Sequence, residues 1–200
     1  MDNINTVDYW NNRFESHNGL TDWELCGGRL QSENFMKSIL NNLNEIAFET
    51  IDDMKVSSIL DFGCALGDGT NILKEHLSND NITGYDFSRN AIELSNKMFK
   101  GIKFDYILDT SNHYDYIICS NVLQHVDNYK EIIKDMLLLT SKMLIILVPF
   151  GTYGISKEHY NSFQFNSFDK DIKDFTRRKM KTIQTDSWKY KQILVRYERV

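Results

Sequence analysis

The sequence predicts an α/β fold built on a doubly wound, mostly parallel sheet, and three features carry that prediction. Short β-branched and aromatic runs alternate with helical periodicity, as in successive βαβ units. A strand carrying Asp61 runs directly into a turn of small residues, Gly63, Ala65, Gly67 and Gly69. A second acid, Asp86, stands nineteen residues after Gly67 at the end of the following strand.

Taken in order, Met36, Ile39, Leu40, Leu43, Ile46 and Ala47 recur at helical spacing and predict a long amphipathic helix ahead of the sheet. Val56–Phe62, Ile82–Phe87, Lys103–Ile107, Tyr114–Cys119 and Met143–Val148 have the length and residue types of strands. Helical patterns over Asn71–Leu77, Asn90–Phe99 and Asn128–Thr140 separate them, except that no convincing helix lies between Lys103–Ile107 and Tyr114–Cys119. Lys179–Thr185 and Gln192–Tyr197 read as two closing strands. Their short connection near Asp186 and Ser187 favours an antiparallel pair.

Composition narrows the class. Two hundred residues, 42% hydrophobic and 26% charged, suit one globular domain that needs no staples. The expected division is a helical lid over 1–54, a ligand-binding core over 55–150, and a segment with the closing strands over 151–200. Three scattered cysteines, Cys26, Cys64 and Cys119, with no C-x-x-C, fit neither a disulfide framework nor a zinc site. Met143–Phe150 is far shorter than the ~20 apolar residues of a membrane span. The polar Met1–Asn5 start lacks the features of a secretory signal, so a cytoplasmic location is expected. Residues 1–150 hold 12 Lys and Arg against 22 Asp and Glu, whereas residues 151–200 hold 11 against 6. An acidic body disfavours nucleic acid as a partner, because phosphate binding needs clustered cations.

The small-residue turn identifies the ligand by elimination. Ile59–Gly69, ILDFGCALGDG, lacks the G-x-G-x-x-G of dinucleotide sites, and no lysine follows at the position a phosphate-binding P-loop requires. Asp68 would set a carboxylate beside a diphosphate. Asp86 can accept both hydroxyl protons of a ribose. Its other reading is a cap on the helix that follows, and the glycine turn at matching distance favours ribose. Ribose without pyrophosphate points to an adenosyl ligand.

On these residues the sequence resembles the class I S-adenosylmethionine-dependent methyltransferases, of the small type that modifies small molecules or surface glycans. The resemblance spans about residues 55–150. Asp61, Gly63 and Gly67 match the family's first motif, with Ala65 in place of its middle glycine. It implies a Rossmann-like, seven-stranded sheet whose last strand is antiparallel. It further implies that the loop cradles the adenosyl and methionine portions of the cofactor, that Asp86 binds ribose, that Phe87 lines the adenine pocket, and that Leu108 and Asp109 cover adenine. Tyr114–Val126, YDYIICSNVLQHV, resembles the fourth-strand motif, which brings Ser120 to the cofactor and Asn121 and His125 to the reacting atoms at the carboxyl edge of the sheet. Tyr9–Phe14, YWNNRF, resembles a segment that folds over the cofactor, with Trp10 and Arg13 as contacts and Trp23 and Glu24 continuing the cover.

The implied reaction is an in-line transfer of methyl from the sulfonium of S-adenosylmethionine, leaving S-adenosylhomocysteine, in which alignment and exclusion of water matter most. For a hydroxyl acceptor a general base adds roughly 10²–10⁴ in rate. His125 is the candidate, set against a purely structural bond to backbone in that turn. Tyr153, His159, Tyr160 and Phe163 form an aromatic segment suited either to an acceptor pocket or to packing. Ser120 and Asn121 are not acidic, so no metal is expected, and the [DN]-P-P-[YF] motif of base methylases is missing. The basic 151–200 segment and Arg13 favour an anionic acceptor, such as a phosphorylated or nucleotide-linked sugar or a phosphoramidate precursor of a surface polysaccharide. An RNA or protein methyltransferase and a non-catalytic cofactor-binding module are the rival readings.

Overall fold

The computed structural model describes residues 4–17, 19–46, 50–151, 156–186 and 188–200. Ala47, Tyr153 and Ser187, each used in reading the sequence, lie outside them. Ahead of the main sheet come α1 (Val7–Arg13), a hairpin of β1 (Ser16–His17) and β2 (Leu20–Thr21), α2 (Asp22–Leu25), α3 (Gly28–Ile46) and α4 (Thr50–Met54). The alternating body follows as β3 (Ile59–Phe62), α5 (Asp68–Leu77), β4 (Ile82–Tyr85), α6 (Arg89–Met98), β5 (Lys103–Asp105), β6 (Tyr114–Ser120), α7 (Tyr129–Leu139) and β7 (Thr140–Pro149). The chain closes with β8 (Asp171–Ile172), β9 (Phe175–Gln184) and β10 (Lys191–Arg199).

The fold is Rossmann-like: β3 to β7 pair in parallel in the order β5-β4-β3-β6-β7, and β10 enters between β7 and β9, antiparallel to both. The sheet has eight strands, not the expected seven. The eighth arises because Lys173 takes a left-handed backbone (φ 50°), folding Asp171 and Ile172 back onto Thr176 and Phe175. The Thr176 hydroxyl donates to the Asp171 carboxylate at 2.8 Å and fixes that reversal. The first parallel strand starts at Ile59 rather than Val56. Val56 is 82% exposed, and the hydroxyls of Ser57 and Ser58 bind Asp53 and Asp115 in place of a strand ladder.

Burial follows the two periodicities. Phe35, Met36, Ile39 and Leu43 of α3 share one core with Leu73 and Leu77 of α5 and Ile59, Ile118 and Ile145 of the sheet. Ile133, Met136 and Leu137 of α7 fill the opposite face with Leu60, Ile117 and Val195. The central strands are mostly apolar on both faces because helices cover both.

Gly84, inside β4, is where packing leaves no room: a Cβ there would lie 2.5 Å from the Phe104 ring and 3.0 Å from Cys64 Sγ. We expect Gly84→Ala to cost about 1–3 kcal/mol by overpacking. The check is a lowered denaturant midpoint at unchanged slope, partly restored by Phe104→Leu.

Candidate functional site

The turn after β3 is held by the end of β4. Backbone N–H groups of Gly63 and Cys64 both donate to the Tyr85 carbonyl, at 2.7 and 2.9 Å. Ala65 adopts φ 49° and donates its N–H to Asp86 Oδ2 at 3.0 Å, while Ser88 N–H donates to Asp86 Oδ1 at 2.9 Å. Gly63 has φ 79°, and a Cβ on it would meet Val122 Cγ2 at 2.2 Å, so only glycine lets the chain pass there. The helix cap is supplied by the Ser88 side chain, which accepts from Ala91 N–H. That frees Asp86 from the capping alternative. Its carboxyl is buried, and burial pushes its pKa up to about 6 against the pull of the two backbone donors.

Two chambers open on this turn. The larger, about 210 Å³, is walled mainly by aromatic rings, Trp10, Phe14, Trp23, Phe62, Tyr85 and Phe87, with Asp86, Asn121 and His125 as polar members. The smaller, about 60 Å³, presents Ser32, Asp61, Ser120 and Asn121 beside Phe35 and Met36. Trp23, Gly63, Ala65 and Asn121 border both. Asp61 accepts from the Thr70 hydroxyl at 2.6 Å, and burial, followed by the nearby Asp86 charge, outweighs that bond and raises its carboxyl to about 6. An aromatic room with one carboxylate, joined to a polar room with another, suits a molecule that is aryl and diol at one end and zwitterionic at the other.

Other expected contacts fall elsewhere. Gly67 (φ 84°) caps α5 and packs against Phe104 and Phe99, bordering neither chamber. Leu108 and Asp109 border a separate crevice with Lys103 and Tyr114, and the Asp109 carboxylate is taken by Ser111 and Asn112.

Helix α1 forms the roof. Trp10 and Phe14 are buried, and Asn11 joins α1 to α6, accepting from Ser88 Oγ through Oδ1 and from Asn90 Nδ2 through its carbonyl, each at 2.9 Å. On the other side Glu158 gathers the lid. Its backbone carbonyl accepts from Asn5 Nδ2 at 2.7 Å, and its carboxylate accepts the Tyr9 hydroxyl and lies 3.7 Å from Arg13 Nε. Burial, then the bond to Glu158, pushes the Tyr9 hydroxyl up to about 12. Arg13 therefore faces Glu158 instead of projecting into a chamber. Glu158 gave no signal in the sequence, since an isolated acid in a polar segment has no motif.

The general-base role expected of His125 does not fit its surroundings. Gln124 Nε2 donates one proton to the Asn121 carbonyl at 2.8 Å and the other to His125 Nε2 at 3.1 Å. Nε2 must then accept, and Nδ1 carries the proton given to the Glu158 carbonyl at 3.0 Å. Both ring nitrogens are engaged, and burial drives the imidazole down to about 4. His125 is thus a neutral brace between the lid, where Trp10 packs 5.1 Å from its ring, and the segment bearing Glu158 and His159. Phe163, expected near an acceptor, is fully buried against Tyr129 and Phe168 and belongs to the core.

Known proteins agree with this geometry. Residues 30–169 match a family described as a methyltransferase domain. An uncharacterized protein of Methanocaldococcus jannaschii is 25% identical over 171 residues, covering 77% of this chain and 71% of that one. Among solved structures, the plantazolicin methyltransferase BpumL with bound S-adenosylhomocysteine superimposes with a TM-score of 0.66 at 16% identity, over 98% of this chain and 96% of that one. The N-methyltransferase NodS of Bradyrhizobium japonicum, also with S-adenosylhomocysteine, gives 0.66 at 16% identity over 98% of each chain. The magnesium protoporphyrin IX methyltransferase of Synechocystis gives 0.61 at 14% identity over 96% and 94%. Since the matched residues include the pinned turn, Asp86, Asn121 and α7, the chain belongs to the methyltransferase-domain family and is an S-adenosylmethionine-dependent methyltransferase.

Proposed function

We propose that this enzyme methylates a small-molecule acceptor, with the adenosyl part of the cofactor in the aromatic chamber and its amino-acid part in the polar one. The observation that carries this reading is the shared border of the two chambers at Trp23, Gly63, Ala65 and Asn121, where the sulfonium would lie between the two carboxylates. S-adenosylmethionine supplies the electrophilic methyl. The chain's own residues bind and align. Asp86 accepts the ribose hydroxyls, Phe87 and Tyr85 flank adenine, Asp61 faces the ammonium, and Trp10 and Phe14 keep water out. With His125 occupied, turnover rests on alignment rather than on a resident imidazole base.

Support for a small acceptor comes from the enclosed roof and from similar structures named for plantazolicin and magnesium protoporphyrin IX. The finer reading is O-methylation of an anionic sugar precursor of a surface polysaccharide, phosphorylated, nucleotide-linked or a phosphoramidate. It rests on the basic 151–200 segment, in which Lys191 precedes Gln192 at the carboxyl edge of the sheet. No Lys or Arg among the described residues lines the two chambers, so a phosphate would bind at their rim. A screen of matched neutral and phosphorylated sugars decides it: preference for the phosphorylated member, weakened by salt, supports the anionic reading, and equal turnover removes it.

Calorimetric titration with S-adenosylhomocysteine, with NADH and ATP as controls, should show binding of the first alone, and Asp86→Asn should weaken it by about 1.5–3 kcal/mol. Asp86 accepts ribose hydroxyls best as a carboxylate. Affinity should therefore be level above about pH 7 and fall below about pH 6, with a shallower slope in Asp86→Asn. His125 acts on folding in the same pH direction. Its pKa is depressed in the folded chain, so its stabilisation is complete above about 6.5 and lost as pH falls through about 4. His125→Gln should remove on the order of 1–3 kcal/mol of the stability difference between pH 7 and pH 4, read from denaturant midpoints.

A further inference from the structure

Asn121 borders both chambers, and among the described residues it is the one amide side chain that does so. Its backbone is left-handed (φ 55°), and its N–H is spent on the Leu147 carbonyl at 2.7 Å. The backbone thus turns the side chain back toward β10. There Gln192 Nε2 donates to Asn121 Oδ1 at 2.9 Å, and Gln192 Oε1 accepts the Thr185 hydroxyl at 2.5 Å. Gln192 and Thr185 are 0% and 1% exposed, and Gln192 lies opposite the buried Ile183 in the β9–β10 ladder. Two fully buried polar side chains cost stability unless their bonds are satisfied, and the chain they form reaches the site at one residue only.

The direction of the relay matters. The Thr185 hydroxyl donates to Gln192 Oε1, which leaves Gln192 Nε2 facing Asn121, and that N–H engages the carbonyl end of Asn121. The other end of Asn121, its Nδ2, has a 3.3 Å contact to Ser120 Oγ. In this arrangement the residue offers its N–H donors at the junction of the chambers. The smaller chamber already has an acceptor in Asp61, suited to an ammonium. Its side-chain N–H and O–H donors among the described residues are the hydroxyls of Ser32 and Ser120, the indole of Trp23 and this amide, and no Lys or Arg among them lines it.

We propose that Thr185 and Gln192 are positioning residues that lock the Asn121 amide as the hydrogen-bond donor to the carboxylate of the cofactor's amino-acid end. This rests on the placement of the cofactor proposed above. It assigns a site role to the turn between β9 and β10, which would otherwise be a plain hairpin end, and couples cofactor recognition to the strand that closes the sheet.

The test compares two ligands on three proteins by calorimetry: S-adenosylhomocysteine, and 5′-methylthioadenosine, which lacks the amino-acid end, on wild type, Gln192→Met and Thr185→Val. Both substitutions keep side-chain volume, and having two guards against one failing to fold. The expected result is that S-adenosylhomocysteine weakens about tenfold in both variants, while 5′-methylthioadenosine binds as in wild type. If both ligands weaken equally, the pair is structural only and the proposal is overturned. If neither ligand's affinity changes, it is likewise overturned. If wild type fails to bind S-adenosylhomocysteine, the cofactor placement itself fails and the relay falls with it, an outcome distinct from the other two.

Discussion

The site depends on one constraint, the pinning of the turn after β3 to the last residues of β4. Two backbone N–H groups converge on the Tyr85 carbonyl, and a third, from Ala65, reaches the Asp86 carboxylate. These bonds force left-handed backbone at Gly63, Ala65 and Gly67, and that geometry draws the chain aside so that two chambers open where side chains would otherwise stand. Ala65 at φ 49° bears a strain that glycine would not, on the order of 1 kcal/mol. The Asp86 bond holds it there. The carboxylate that would receive a ribose is therefore also the group that shapes the loop around it.

Burial gives the two acids their character. Asp61 and Asp86 lie in the same low-dielectric region, each raised toward 6, and each held by donors rather than by a cation. Arg29 instead pairs with the buried Asp68, at 2.8 Å, and Arg13 with Glu158. The cations around the site are thereby consumed by structure. The chambers keep a negative, aromatic interior, well matched to a sulfonium, whose positive charge gains from ring faces and carboxylates alike.

The lid follows from similar arithmetic. Helix α1 has seven residues and one buried tryptophan, too little to stay closed through its own packing. It is tied to α6 through Asn11 and to the 156–161 region through Glu158 and His125. Its position reports on both sides of the site at once, and the imidazole that links it to Glu158 is neutral because it is buried.

Local patterns were sufficient for the parallel body and for the residues at the proposed adenosyl end of the site. Period 2 and period 3.6 mark β3 to β7 and their helices, and the Asp61–Gly67 turn with Asp86 marks the ligand, because those features act over fewer than thirty residues and need particular residue types. The two-residue β8 was invisible, since a strand of that length has no period. The role of His125 could not be read either. A histidine after a strand looks the same whether its nitrogens are free or spent, and only the folded chain brings Gln124 and Glu158 to them. Glu158 and Gln192 lie 149 and 71 residues from Tyr9 and Asn121, the residues they hold. Sequence by itself determined the fold class and the family and singled out the carboxylate proposed for ribose, through short-range stereochemistry. The tertiary structure alone decided which polar groups remain available to a ligand, because hydrogen bonds between distant segments use up donors and acceptors that no local pattern can count.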